Sequence, residues 1–318
     1  MGTAGRDRTG HHHPRISATS GGVPVAPADQ LRSVWGARLL PVRRQTGSRS
    51  NPDRSLPSPP RRSNPRRATG RTRRSARRQV AFVAGGPTVR KGSLRIHTIP
   101  LGIASAYLIA SDGGTVLVDA GPPRQERIIL RYLEQLGRDD LRLIFITHAH
   151  FDHYGSAAAI RRATGAPIAI HEADQDAMAQ GETPIGTARG YGRLTFLIVP
   201  LLDRWLRPEP TAPDVILRDG DDLTRFGIPG RAIHTPGHTF GSCCLLLESD
   251  IAFVGDLVAM VVRPRLQRIY AQDWDLLQRS LERLAELAPK RLYPGHGRRP
   301  LDGDTFQRLV ANRNGSRR

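Results

Sequence analysis

Apolar positions fall into regular patterns only from about residue 89 onward. Leu94–Ile99, Ala106–Ala110 and Thr115–Val118 alternate or run apolar over strand lengths, and Asp112-Gly113-Gly114 supplies a hairpin turn between the last two. Over 123–136, Ile129, Tyr132, Leu133 and Leu136 recur at helical spacing, and Gly137 stops the helix. Leu141–Ile146 is almost continuously apolar, as a strand covered on both faces would be. The pattern then predicts a helix at Ser156–Ala163, a strand at Pro167–Ile170 and a helix at Glu172–Gln180. A proline-rich irregular stretch covers 182–213, and strands follow at 215–217, 231–234, 243–247 and 251–254. Asp273 is placed to cap a helix that runs to Leu287, with Trp274, Leu277, Leu281 and Leu284 on its buried stripe. A short strand at 291–293 and a helix at 305–311 complete the chain. Two runs of strands, each followed by helices, predict one α/β (α+β) domain over 89–318, an αββα sandwich of two similar halves.

Charge separates this domain from what precedes it. Residues 1–80 hold 18 Arg, 3 Asp and neither Lys nor Glu, which is +15 of the total +19. The remainder is nearly neutral, so a nucleic-acid partner is not expected for the folded part. Rich in Arg, Pro and Ser and poor in aromatic residues, segment 1–88 is expected to be a disordered tail, because it has too little apolar surface to offset its ordering entropy. A solvated extension, a transit-like targeting segment and a weak binding arm for nucleic acid or membrane are its three readings. The run His11-His12-His13 is read as incidental. No secretory core near Met1 and no bilayer-length apolar run are present. The only cysteines, Cys243 and Cys244, would point to opposite faces of one strand and so not pair. These features together predict a cytoplasmic protein with a small-molecule substrate and leave its oligomeric state open.

Five of the eight histidines in residues 81–318 lie at strand ends or beside glycine. They are His148, His150 and His153 in His148-Ala-His-Phe-Asp-His153, then His238 in Thr235-Pro-Gly-His-Thr239, and His296 in Tyr293-Pro-Gly-His-Gly297. Asp152 stands inside the first cluster, and Asp256 follows in Val254-Gly-Asp-Leu257. In extended backbone residues i and i+2 point the same way, so His148 and His150 can meet one cation while Asp152 and His153 face a second. Seven donors exceed one metal's needs and fit a two-metal site, in which Asp256 can offer one oxygen to each ion. His97 and His171 are assigned to structure, and His234 to the strand before the His238 loop.

This motif order resembles the signature of the metallo-β-lactamase fold superfamily over roughly residues 92–300. The resemblance implies one metal on His148, His150 and His238, another on Asp152, His153 and His296, and Asp256 as the bridge. It implies that Asp119 supports the metal ligands, and that the ions are zinc, with iron or manganese as alternatives. The family's flavodiiron branch has Glu where this chain has His150, and the true zinc β-lactamases lack the bridging Asp. The RNA-processing branch carries an inserted domain for which there is no room. The glyoxalase II-like, lactonase-like and thioesterase-like group remains. Glyoxalase II proper has a C-terminal helical extension, whereas this chain ends 22 residues after His296.

The expected activity is therefore a dinuclear metal-dependent hydrolase. A hydroxide shared by the metals would attack the acyl carbonyl of a hydrophobic thioester, lactone or ester, with Asp152 as catalytic residue as well as ligand. The apolar run Leu194–Leu206, inside the 182–213 insertion, has three readings: a core or subunit-contact helix, a lid that accepts an acyl chain, and an anchor on a membrane surface. Leu257–Val262 could line the same pocket. Tyr154, Tyr191 and Tyr270 are candidates for the tyrosine that lactonases place near the metals. Arg263, Arg265, Arg268, Arg298 and Arg299 keep a phosphodiesterase as the alternative, and a non-catalytic binding protein is the reading from another class.

Overall fold

The computed structural model describes residues 94–190, 192–193 and 205–315. The chain divides by contacts into Met1–Arg77 and Arg78–Arg318, and every described residue belongs to the second unit. The expectations for the tail 1–88, for Tyr191 and for most of the apolar run 194–206 lie outside the described residues.

The first half runs β1 (Arg95–Leu101), β2 (Ala104–Ser111), β3 (Gly114–Val118), α1 (Glu126–Gln135), β4 (Leu141–Phe145), α2 (Phe151–Tyr154), α3 (Ala157–Thr164), β5 (Ile168–His171), α4 (Gln175–Gln180), β6 (Thr187–Ala188) and β7 (Val215–Leu217). The second runs β8 (Gly230–His234), β9 (Cys243–Leu247), β10 (Ile251–Phe253), β11 (Val258–Met260), β12 (Arg265–Leu266), β13 (Tyr270–Ala271), α5 (Trp274–Glu286), β14 (Arg291–Tyr293), β15 (His296–Gly297), β16 (Leu301–Asp302) and α6 (Gly303–Gly315).

Six strands in the order β1-β2-β3-β4-β5-β7 form one sheet, and β16-β14-β10-β9-β8 form another. Three buried clusters divide the core into layers. Strand β2 shows how alternation builds them: Ala106 and Leu108 pack with Ile129 and Leu133 of α1, while Tyr107 and Ile109 pack with Leu245 and Phe253 of the second sheet. The outer face of that second sheet, including Ala252 and Leu292, packs on Leu277, Leu281 and Leu284 of α5 and Phe306 of α6. Helix, sheet, sheet and helix are stacked in that order, the αββα sandwich expected from the sequence.

Cys243 packs between the sheets and Cys244 under the helices, both as buried free thiols. The side chain of Asp273 accepts from the amides of Asp275 and Leu276 and so caps α5 as expected. Helix α1 begins at Glu126 rather than 123, because Pro122-Pro123 and Arg124, with φ of 68°, make a turn first. Periodicity missed the short strands. β12-β11-β15 form a three-stranded sheet and β13-β6 a pair, and strands of two or three residues are too short to show a period. Among the described residues no helix is long and apolar enough to cross a membrane.

This arrangement brings one set of strand ends together. β3 and β4 are parallel, and β8, β10 and β14 share a direction in the second sheet, since β9 is antiparallel to β8 and β10. Asp119, His148, His238, Asp256 and His296 all follow the C-terminal ends of these five strands.

Leu281 is fully buried on α5, whereas Arg279 on the same helix is exposed. Leu281→Ala should cost about 3 kcal/mol in urea unfolding and Arg279→Ala under about 0.5 kcal/mol. Equal costs would contradict the helix-on-sheet packing described here.

Candidate metal centre

Strand β4 ends at Phe145, and the chain then turns so that Thr147, His148 and His150 precede the single turn of α2, which carries Asp152 and His153. His238, Asp256 and His296 arrive from the second sheet. All seven donors named from the sequence converge. His148, His150, His238 and Asp256 form one group and Asp152, His153 and His296 another, each with its ligand atoms within 4.8 Å of one another.

Most of these rings are tethered through the nitrogen that faces away from the cluster. His150 Nε2 lies 2.9 Å from the Pro184 carbonyl and His296 Nδ1 2.6 Å from that of Ile103. A carbonyl can only accept, so the nitrogen facing it carries the proton and the other presents a lone pair. His238 Nδ1 sits 3.1 Å from the Tyr270 carbonyl and 3.2 Å from the Gln267 amide.

The other two rings depend on Asp119. Its Oδ2 accepts from His153 Nδ1 at 2.8 Å and from Thr147 Oγ1 at 3.0 Å. Because the Thr147 hydroxyl donates its hydrogen to Asp119, it is left to accept from His148 Nδ1, 3.0 Å away. Asp119 Oδ1 accepts the Thr147 amide at 2.8 Å. One carboxylate thereby orients a histidine in each group. Asp119 itself adopts φ of 59°, a conformation that Asp tolerates better than most residues.

Inside the cluster, three buried atoms have no hydrogen-bond partner among the described residues: His148 Nε2, His153 Nε2 and Asp256 Oδ1. Stranding such an atom costs about 1–3 kcal/mol, and a cation placed among them would satisfy all three. His153 Nε2 stands 3.3 Å from Asp256 Oδ1, and Asp256 Oδ2 stands 3.3 Å from His238 Nε2 and 3.2 Å from His296 Nε2. Asp152 Oδ2 lies 3.5 Å from His296 Nε2. Neutral imidazole and carboxylate donors with inward lone pairs fit divalent cations.

Electrostatics divides the cluster in the same way. Burial, then the neighbouring His153, His150 and His238, holds His148 well below the ordinary imidazole range. Burial and then His238 push His150 down to about 3. Burial also opposes charge on His153, but Asp119, Asp256 and Asp152 outweigh it and hold that ring well above the ordinary range. For His296, Asp256 and Asp152 overcome burial and lift it to about 9. Asp256 stays well below the carboxylate range, because His296 and His153 outweigh its burial. The carboxylates thus call for positive charge at this end, which a proton or a cation can supply.

Sequence reasoning missed Asp174, which it treated as an ordinary helix residue. Buried Asp174 accepts from the Ala149 amide, the Thr239 hydroxyl and the Gly241 amide, each at 2.8 Å. It therefore ties the His148–His150 loop to the His238 loop. The signal was Gly241: a Cβ there would meet the Asp174 side chain at 2.4–2.6 Å. Gly295 serves similarly, since a Cβ would come within 2.5 Å of Asp256 Oδ1 and 2.6 Å of His153 Cε1. Tyr154 is buried, with its hydroxyl donating to the Glu182 carbonyl, while Tyr270 lines a cavity beside Asp256 and His296. His171 and His234 stack on each other with ring centroids 3.8 Å apart, and neither belongs to either donor group.

A family model described as the metallo-beta-lactamase superfamily matches residues 99–296. The chain belongs to the metallo-beta-lactamase superfamily. The probable metallo-hydrolase YflN of Bacillus subtilis is 27% identical, with 67% of this chain and 87% of that protein covered. The acyl-coenzyme A thioesterase MBLAC2 of Bos taurus is 27% identical, with 61% and 72% covered. Among solved structures, TTHA1623 in a di-iron-bound form is 27% identical with a TM-score of 0.51, covering 68% of this chain and 96% of that one. The superfamily is one of metallo-hydrolases, and the His/Asp cluster of this chain is suited to divalent metal ions.

Asp119→Asn would present an amide donor to two groups that already donate. Metal affinity should fall about 10–100-fold, read as metal retained after dialysis against a weak chelator, while circular dichroism stays that of the wild type. Retention equal to the wild type would refute the role given to Asp119.

Proposed function

We propose that this protein is a dinuclear metal-dependent hydrolase of hydrophobic acyl substrates, whether thioester, lactone or ester. The observation that carries the reading is Asp256, one carboxylate with Oδ1 toward His153 and Oδ2 toward His238 and His296. In this reading His148, His150 and His238 would hold one ion and Asp152, His153 and His296 the other, with Asp256 available to both sets. Zinc is the expected metal. The di-iron form of TTHA1623 keeps iron as an alternative, and manganese is a third. Two divalent cations bound here would polarise the acyl oxygen and acidify a water enough for attack near neutral pH.

Asp152 keeps Oδ2 toward His296. Its other oxygen is assigned to accept a hydrogen from the attacking water and so aim the water's lone pair. The thioesterase activity named for MBLAC2 supports an acyl substrate. An apolar one is supported by exposed Ile103, Ile185 and Phe240 on the loops that carry or tether the donors, and by exposed Val261 and Val262 beside the cavity at Asp256. The catalytic domain is assigned to 89–318, with 1–88 as an appended tail. A second reading, a phosphodiesterase of the same fold, is favoured by the arginines that line the cavity beside Asp256. A purely binding role is disfavoured by the completeness of the donor set.

Purified full-length protein should hold about two metal ions per chain by plasma mass spectrometry. One ion or none, with no activity after addition of zinc, iron or manganese, would end the dinuclear reading. Asp152→Ala should lower kcat/KM for p-nitrophenyl octanoate by about 100-fold or more. Wild-type activity in that variant would remove Asp152 from the mechanism.

Across p-nitrophenyl esters from acetate to decanoate, kcat/KM should rise with chain length, by up to about 0.8 kcal/mol per buried methylene. A flat series, or faster turnover of bis-p-nitrophenyl phosphate, would favour the second reading.

A further inference from the structure

His150 and His238 belong to the same donor group, and both rings are tethered from one small ladder. The Pro184 carbonyl, just before β6, lies 2.9 Å from His150 Nε2, and the Tyr270 carbonyl, within β13, lies 3.1 Å from His238 Nδ1. β6 and β13 pair antiparallel, Thr187 with Ala271 and Ala188 with Tyr270, and the Arg189 amide extends the ladder to the Ile269 carbonyl at 2.9 Å. Just past β13, the Gln272 amide donates to the His238 carbonyl at 3.1 Å. With Nε2 turned to a cation, His238 carries its ring proton on Nδ1, where the Tyr270 carbonyl accepts it.

A pair of two-residue strands is marginal by itself, and side chains lock this one. The Trp274 indole N–H can only donate, and Thr187 Oγ1 accepts it at 2.7 Å. The same hydroxyl passes its own hydrogen to the Ala271 carbonyl, 3.3 Å away. The Arg189 guanidinium carbon stands 4.1 Å from the centroid of the Trp274 ring, a cation–π contact. Trp274 opens α5, whose Leu277, Leu281 and Leu284 are buried on the second sheet, so the lock is anchored in the core. The strands also approach too closely for a side chain at Gly186, where a Cβ would collide with the Ala271 carbonyl and the Gln272 nitrogen.

The other donor group is supported elsewhere. Asp119 holds His153 Nδ1, the Ile103 carbonyl holds His296 Nδ1, and Asp152 rides on α2. We propose that the β6–β13 ladder, locked by Thr187 and Trp274, is a positioning device for one ion only, that of the His148, His150 and His238 group. The assignment rests on the dinuclear reading above. In this arrangement β6, a strand of the insertion after α4, sets the aim of two rings of that group, and the ion of the Asp152, His153 and His296 group is indifferent to it.

The test dialyses the zinc-loaded full chain against rising concentrations of a weak chelator. Residual zinc is counted by plasma mass spectrometry, and folding is checked by circular dichroism. Gly186→Ala should give up one ion at about 10–100-fold lower chelator than the wild type, and the other within about 3-fold of it. Thr187→Ala should act in the same direction by about 10-fold, and Thr187→Ser, which keeps the hydroxyl, should retain zinc as the wild type does. General damage to the fold would loosen both ions together. Equal loosening of both ions, or of neither, would therefore overturn the proposal, and the Thr187 pair decides by the same criterion if Gly186→Ala does not fold. If the wild type holds fewer than two ions, the dinuclear reading falls separately. The ladder is then judged on the metal-free chain by nuclear magnetic resonance, from a slowly exchanging His150 ring N–H identified by its absence from His150→Asn. Loss of that signal in Thr187→Ala supports the ladder's role; its persistence there, or its absence from the wild type, refutes it.

Discussion

Acceptors that converge in a buried space repel one another unless something positive lies among them. That constraint governs this molecule. Five imidazoles and two carboxylates meet in one buried place, and among the described residues His148 Nε2, His153 Nε2 and Asp256 Oδ1 have no hydrogen-bond partner. Such a cluster cannot stabilise the fold by itself. It persists because the surrounding structure over-determines it: two sheets fix the strand ends, Asp119 orients two rings, and Asp174 joins two loops. The sandwich acts as a frame that holds unfavourable neighbours in place for a cation to reconcile.

Much of this was readable from sequence because its signals are local. Leu277, Leu281 and Leu284 recur at helical spacing, Asp273 precedes them as a cap, and the alternation along β2 sorts its residues into two cores. The donor set was legible for a different reason: histidines beside glycine at strand ends are few, and their order along the chain is informative. Gly295 shows the physics behind one such pairing, since only a residue without a side chain fits against Asp256 and His153.

What could not be read depends on contacts distant in sequence. Asp174 looks like any helix-start acid until Thr239 and Gly241 are brought against it. The tethers at Ile103 and Pro184 are carbonyls, which every residue has, so no side-chain pattern marks them.

The carbonyl tethers have an evolutionary consequence. Because His150, His238 and His296 lean on the main chain at Pro184, Tyr270 and Ile103, substitutions of those side chains leave the tethering atoms in place. The loops around the mouth can therefore drift in sequence while the ring orientations persist. The Asp119–Thr147 branch and the Asp174 tie, by contrast, are exposed to side-chain loss. A site anchored in this way separates its inherited chemistry from its adjustable rim, so new substrates can be tried at the mouth without re-evolving the centre.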